Sequence, residues 1–164
     1  IPEMEKLIDW LNAHVPDDDE TTVVHGDFRL GNMMFHEERS EVIAIFDWEL
    51  STLGHPLGDL AYNVMPFYMA PDEFNGLKGL DLVSMGIPSL DDYVRKYCER
   101  TSRPLFDLTF YIVFSLFRMA AIAEGILARA ASGIASSANA KEVGSMTGRY
   151  AERAWGLVEE KGLH

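Results

Sequence analysis

A single cysteine, Cys98, stands in a chain of 164 residues, which excludes an internal disulfide and any cysteine-rich zinc site. Basic residues are also few: 14 Lys and Arg face 26 Asp and Glu, a formal net charge of −12. Nucleic-acid binding needs a basic footprint to neutralise phosphates, so that class is set aside. Long hydrophobic runs are missing too. The most apolar window, 105–123, is interrupted by Asp107 and Arg118 and reads as a core helix, so no membrane span is expected. The opening "IPEMEKLIDW" carries charges throughout and is not a secretory signal. A cytoplasmic protein is the default expectation. The first residue is Ile and not Met, which points to a piece of a longer chain.

What is present suffices for a packed domain. With 48% hydrophobic and 11% aromatic residues the chain can bury a core, and at this length one domain over 1–164 is expected. Met4, Leu7, Ile8 and Leu11 recur at helical spacing and predict a helix over 3–14. The acidic run 17–20 reads as a solvated loop. Val23-Val24, 33–35 and 42–46 read as short strands, the last two joined by a hairpin loop. Pro56 precedes a helix whose stripe is Leu57, Leu60, Ala61, Val64 and Met65. Residues 71–88 read mostly as loop, and Ser89 is the expected N-cap of the next helix. Cys98 reads as half-buried within it. Helices are predicted over 107–131 and 141–160, with no internal repeat. The order is helix, a few short strands, then helices only: an α+β domain, mainly helical toward its C-terminal end.

The stretch "VVHGDFRLGN" at 23–32 and the later "VIAIFDWE" at 42–49 carry the chemistry. Asp27 and Asn32 lie five apart in a segment too glycine-rich for a regular helix, and Asp47 closes a strand. Loops after strand ends are where rigid scaffolds present reactive side chains. Two carboxylates and an amide oxygen form a hard-oxygen set suited to Mg²⁺ that also keeps waters and phosphates. The histidines at 25, 36 and 55 lack zinc-ligand spacing.

H-x-D-x-x-x-x-N followed by a hydrophobic strand and Asp is the pattern of kinase catalytic loops. "HGDFRLGN", "IFDWE" and the downstream "LGHPLGDLAY" together resemble the aminoglycoside phosphotransferase and choline kinase family, which has a protein-kinase-like fold. The segments "FDWELSTLGHPLGDLAYN" and "SLFRMAAIAEGILAR" are closer still to the kinase-like domain associated with acyl-CoA dehydrogenases. The resemblance implies that Asp27 is the base that orients and deprotonates an acceptor hydroxyl, and that Asn32 and Asp47 bind the Mg²⁺ that holds the phosphates of ATP. His25 matches a loop-stabilising histidine. Asp59 is read as capping its helix and fixing the catalytic loop. Arg29 is read either as facing the transferring phosphate or as a surface arginine. Glu49 is read either as near metal or substrate or as making a loop hydrogen bond.

The resemblance also implies a nucleotide-binding lobe before the catalytic loop, with a glycine-rich turn and a strand lysine. Only 22 residues precede Val23; they hold one lysine, Lys6, and no glycine, and no G-x-G-x-x-G occurs anywhere. The sequence therefore reads as the C-terminal lobe alone, with negligible turnover expected, and a homodimer is expected across the face left open. The acceptor is expected to be a small molecule with a hydroxyl. Between Phe106 and Ala140 only Asp107 and Glu124 are acidic, a poor lining for a polycationic aminoglycoside. Tyr111, Ser115, Arg118, Ile122, Gly125 and Arg129 share one helix face. Arg118 either pairs with a buried acid, Glu49 or Asp59, or awaits an anionic group, which suits a hydroxyacyl compound. The alternative to an enzyme is a non-catalytic kinase-like module that docks a partner. A metal-dependent phosphohydrolase is a weaker third reading, since such sites usually carry more ligands.

Overall fold

The computed structural model describes residues 1–73, 76–132 and 140–163. Helix α1 spans Pro2–Ala13, with Pro2 in its first turn where a missing N–H costs nothing. Strand β1 (Thr22–Val24) pairs antiparallel with β4 (Thr52–Gly54), and β2 (Met33–Phe35) with β3 (Val42–Ile45). Between them lie two single-turn 3₁₀ segments, Leu30–Asn32 and Trp48–Leu50. Helix α2 spans Pro56–Val64 and runs into a 3₁₀ turn, Met65–Tyr68. Helices α3 (Leu90–Thr101), α4 (Thr109–Ala131), α5 (Ala140–Ser145) and α6 (Thr147–Glu160) complete the chain. This is the α+β, mainly helical architecture that the sequence predicts.

Helix α4 is the axis of the core. It packs on α6, α5, α2 and α1, and Ile112, Val113, Leu116 and Ala120 on it are fully buried. Ala151 and Ala154 face it from α6 without side-chain bulk, which lets the two helices approach closely. By length and composition α4 could cross a bilayer; its buried face carries Ile112, Val113, Leu116 and Ala120, while Phe114 and Ile122 on it are exposed. The predicted stripe of α2 is buried along its whole length, from Leu57 to Met65. Ser89 caps α3 as expected, its hydroxyl accepting from the Asp92 N–H at 3.1 Å.

The structure corrects four local expectations. Strand β4 has no counterpart in the sequence reading, because three residues of "TLG" show no alternation long enough to read. The helix predicted over 141–160 is two helices that break at Met146. Gly144 and Gly148 are poor helix formers, and Thr147 Oγ1 donates to the Gly144 carbonyl at 2.9 Å. Gly144 also lies so close to α4 that a Cβ there would meet Leu127 Cβ at 2.5 Å. Cys98 is buried and not half-exposed. The acidic loop is not merely solvated either: Arg103 forms an ion pair with Glu20, Nη2 to Oε1 at 2.5 Å, and His55 Nε2 lies 3.4 Å from Asp18. The expected linker before 141 lies largely outside the described residues.

One buried carboxylate ties the loop after the Met65–Tyr68 turn to α6. Glu73 is almost inaccessible, and its Oε2 accepts from the Ala70 N–H and from Arg153 Nη2, both at 2.8 Å. Its Oε1 lies 3.1 Å from Arg149 Nε. At the opposite extreme, the strands and the loops around them expose large apolar side chains: Val23 65%, Leu30 70%, Leu53 70% and Phe35 50%.

Candidate active site

Strand β1 delivers the chain into the core at His25, which is 2% exposed. Its Nδ1 accepts the Asp27 N–H at 3.2 Å, so Nε2 carries the ring proton and donates it to the Phe46 carbonyl at 2.7 Å. His25 thereby ties the loop of Asp27 to the strand that ends at Asp47. Asp59, one turn into α2, accepts from the backbone N–H of His25 at 2.6 Å and of Gly26 at 2.9 Å. It holds the loop as expected but does not cap its helix: His55 occupies that position, its Nδ1 accepting from the Leu57 N–H at 3.2 Å. Gly26 adopts φ +81, and a Cβ there would sit 2.5 Å from the Leu50 carbonyl oxygen. Only glycine fits that approach.

Asp27 and Asn32 are joined directly. The Asn32 side-chain amide donates to Asp27 Oδ2 at 2.8 Å and to the Asp27 carbonyl at 2.9 Å. With both amide hydrogens so used, Asn32 Oδ1 is the acceptor left over, on a side chain that is itself buried. Arg29 is no free surface group, since its Nε donates to Asp27 Oδ2 at 3.1 Å and its Nη1 lies where a Cβ of Gly31 would be. Burial works to raise the Asp27 carboxyl. Hydrogen bonds from Asn32, Tyr62 and Arg29 outweigh it and hold the group below its ordinary 3.8. Asp27 is therefore ionised throughout the neutral range, able to accept a proton.

The register of the second hairpin brings Asp47 to the same place. Met33 pairs with Ile45, and the Phe46 N–H donates to the Asn32 carbonyl at 2.8 Å, so Asp47 emerges beside Asn32. It adopts the left-handed conformation, φ 64 and ψ 53, which costs roughly 1–3 kcal/mol for a residue other than glycine. Its carboxylate is exposed and makes no hydrogen bond or ion pair with a described residue. An exposed carboxylate and an amide oxygen that its own N–H groups leave spare are hard-oxygen donors, of the kind that fits a divalent cation of the Mg²⁺ type. Glu49 is exposed on the following turn and makes no loop hydrogen bond among the described residues.

Arg118 meets no acid among the described residues. Its Nη2 donates to the Gly26 carbonyl at 2.6 Å, and its guanidinium lies over the Tyr62 ring, 4.6 Å from the centroid. Glu49 and Asp59, the acids expected to pair with it, are respectively exposed and engaged by backbone amides. Tyr62 is a site residue that sequence reasoning does not single out. Burial pushes its phenol up to about 12, with the Asp27 charge and a hydrogen bond to Asp27 adding to the rise. The hydroxyl donates to Met119 Sδ at 3.7 Å. The only signal in the sequence is its place three residues after Asp59.

An apolar cavity of about 250 Å³ lies against this loop, lined by Phe28, Trp48, Tyr93 and Tyr97 with His25 and Asp59 at its floor. A larger cavity, about 310 Å³, lies around Arg149 and Arg153 on α6 and shares no residue with the loop. Asp18, Glu20 and His55 place their ligand atoms within 4.8 Å of one another. Arg103 already neutralises Glu20, however, so this group reads as an ion-paired latch over the start of α2.

Comparison with known proteins bears on the family and the fold. A family model described as the phosphotransferase enzyme family matches residues 1–102. Acyl-CoA dehydrogenase family member 10 of Mus musculus is 46% identical over 167 residues, covering 99% of this chain and 16% of that protein. Acyl-CoA dehydrogenase family member 11 of Homo sapiens is 41% identical over 133 residues, covering 79% of this chain and 17% of that protein. A crystal structure from Ralstonia eutropha, assigned provisionally as an aminoglycoside phosphotransferase, superposes with a TM-score of 0.92 at 46% identity, over 98% of this chain and 50% of that one. The chain thus spans about a sixth of the length of these curated relatives and half of the solved structure. With the catalytic-loop pattern of His25 to Asn32 inside the matched region, the chain belongs to the phosphotransferase enzyme family.

Proposed function

We propose that this chain carries the catalytic loop and metal-binding half of an ATP-dependent kinase that phosphorylates a small-molecule hydroxyl. Asp27 accepts the proton of the acceptor hydroxyl and orients its oxygen for in-line attack on the γ-phosphorus of ATP, whose bond to the bridging oxygen breaks as ADP leaves. Arg29, held beside Asp27 and 41% exposed, offers its remaining N–H groups to the transferring phosphoryl oxygens. Asn32 Oδ1 and the Asp47 carboxylate would hold Mg²⁺, which would neutralise the charge of the phosphates. The observation that carries this reading is how Asn32 is used: both amide hydrogens go to Asp27, which leaves its oxygen as a spare acceptor, while the exposed Asp47 carboxylate has no partner among the described residues.

The acceptor that suits the surroundings is a hydroxyacyl compound. The cavity beside the loop is walled by aromatic rings, and its one acid, Asp59, is already engaged by two backbone N–H groups. That lining favours an acyl chain over a polycation. Relatives named as acyl-CoA dehydrogenases contain a similar segment, which supports an acyl-bearing acceptor.

Calorimetric titration of Mg²⁺-ATP tests the half-site. Measurable binding in the unaltered chain, lost in Asp47→Ala, is the expected result. Equal binding in both would remove Asp47 from the metal site. A second reading, a docking module, is favoured by the exposed apolar side chains on the strands, since patches of that kind promote association. We expect the chain as given to form a homodimer through this face. Light scattering at high concentration checks it, and Leu30→Glu with Leu53→Glu should restore the monomer. A monomer before substitution would count against the homodimer.

A further inference from the structure

The Gly26–Asp27 peptide group is held at both of its polar ends. Its carbonyl accepts from Arg118 Nη2 at 2.6 Å, and its N–H donates to His25 Nδ1 at 3.2 Å. Rotating that plane would change φ of Asp27 and swing the carboxylate away from any fixed acceptor. Resting on the function proposed above, we propose that Arg118 and Tyr62 are positioning residues, a guanidinium held over a ring that fixes the Gly26–Asp27 peptide plane and so aims the Asp27 carboxylate.

Three features support the assignment. First, a guanidinium used only to fill space between helices would be a costly choice, and here it finds no acid among the described residues. Its charge is met instead by the face of the Tyr62 ring and by a backbone carbonyl. Second, the loop has no slack on the other side. Asp59 holds the Gly26 N–H at 2.9 Å, and the Leu50 carbonyl closes the space where a side chain at Gly26 would go. Third, the platform is itself fixed: Tyr62 is only 5% exposed, so the ring under the arginine has little freedom to move. Arginine carries several N–H groups on one rigid fork, so it can sit over a ring and still donate to a carbonyl. Lysine keeps the charge and lacks that geometry.

Amide hydrogen exchange followed by NMR tests the clamp in this chain without recourse to turnover. In Arg118→Met the Asp27 and Phe28 amides are expected to exchange roughly tenfold faster or more, because local opening is no longer opposed. The amides of Ile112, Val113 and Leu116 in α4 should not change. Arg118→Lys is expected to give an intermediate rate, and Tyr62→Phe, which keeps the platform, a rate at the Asp27 amide close to the unaltered protein. Unchanged exchange at Asp27 in Arg118→Met, or acceleration of α4 by the same factor, would overturn the proposal. Should that variant not fold, Arg118→Lys decides alone: exchange equal to the unaltered chain overturns it. In the full natural chain Arg118→Lys is expected to lower kcat about ten- to a hundredfold, with KM for ATP within about twofold. If the unaltered full chain transfers no phosphate, the functional reading fails while the exchange comparison still decides the clamp.

Discussion

Replacing Asp27 with asparagine is expected to lower phosphorylation of a hydroxyl acceptor by roughly 10²–10⁴-fold, the range that a positioned general base contributes. The substitution is close to isosteric. The side-chain amide oxygen of Asp27→Asn can still accept from Asn32 Nδ2, now at 2.8 Å, and from Arg29 Nε, now at 3.1 Å, so the loop should keep its shape. What is lost is the capacity to take a proton. Single-turnover transfer to hydroxyacyl thioesters in the full natural chain is the measurement, run beside ATP binding, which should stay within about threefold of the unaltered chain if only proton transfer is lost. Turnover within about fivefold of the unaltered enzyme would remove Asp27 from the role of base. An equal loss of ATP binding would reassign it to the nucleotide and metal half of the site.

The second large effect concerns stability. Glu73→Ala removes the carboxylate that receives Ala70, Arg149 and Arg153. Breaking a buried ion pair from one side costs roughly 3–5 kcal/mol. The low end applies here, because Arg149 and Arg153 remain partly exposed, at 42% and 27%, and can turn to water. We therefore expect a loss of about 3 kcal/mol by urea unfolding at unchanged m-value. Glu73→Gln, which keeps an acceptor for the Ala70 N–H, should lose about half as much. A cost under about 1 kcal/mol for Glu73→Ala, no more than an exposed pair gives, would mean that the arginines, and not the acid, organise this corner.

These two residues also mark the boundary of what sequence alone discloses. Asp27 is legible because the spacing of His25, Asp27 and Asn32 is local, and its chemistry follows from residue type. The stripe of α2 and the Ser89 cap are legible for the same reason: period and capping act within a few residues. Glu73 is not, because its arginine partners lie on α6, Arg153 being 80 positions downstream, and nothing near it in sequence distinguishes it from a surface glutamate. Arg118 shows the intermediate case. Its shared face with Ser115 and Ile122 points to a special role, and an acid is the natural partner to expect. The structure pairs it with a carbonyl and a ring, because Gly26 turns its backbone oxygen toward α4. Tyr62 stays hidden behind a helical stripe that reads as core, and it is indeed only 5% exposed. The break at Met146 and strand β4 are lost to short length, where pattern carries little information.

The distance between Arg118 and the peptide it holds has a consequence for how the protein is made. Gly26 receives one of its fixing partners from Asp59, 33 residues later, and the other from Arg118, 92 residues later. Contacts of such sequence separation form late, after the closure entropy of the intervening loop has been met. Synthesis proceeds from the N-terminus, so a nascent chain presents Asp27, Asn32 and Asp47 well before the arginine that aligns the first of them has been made. On the ribosome, a fixed orientation of the Gly26–Asp27 peptide should therefore arrive with α4 and not with the motif.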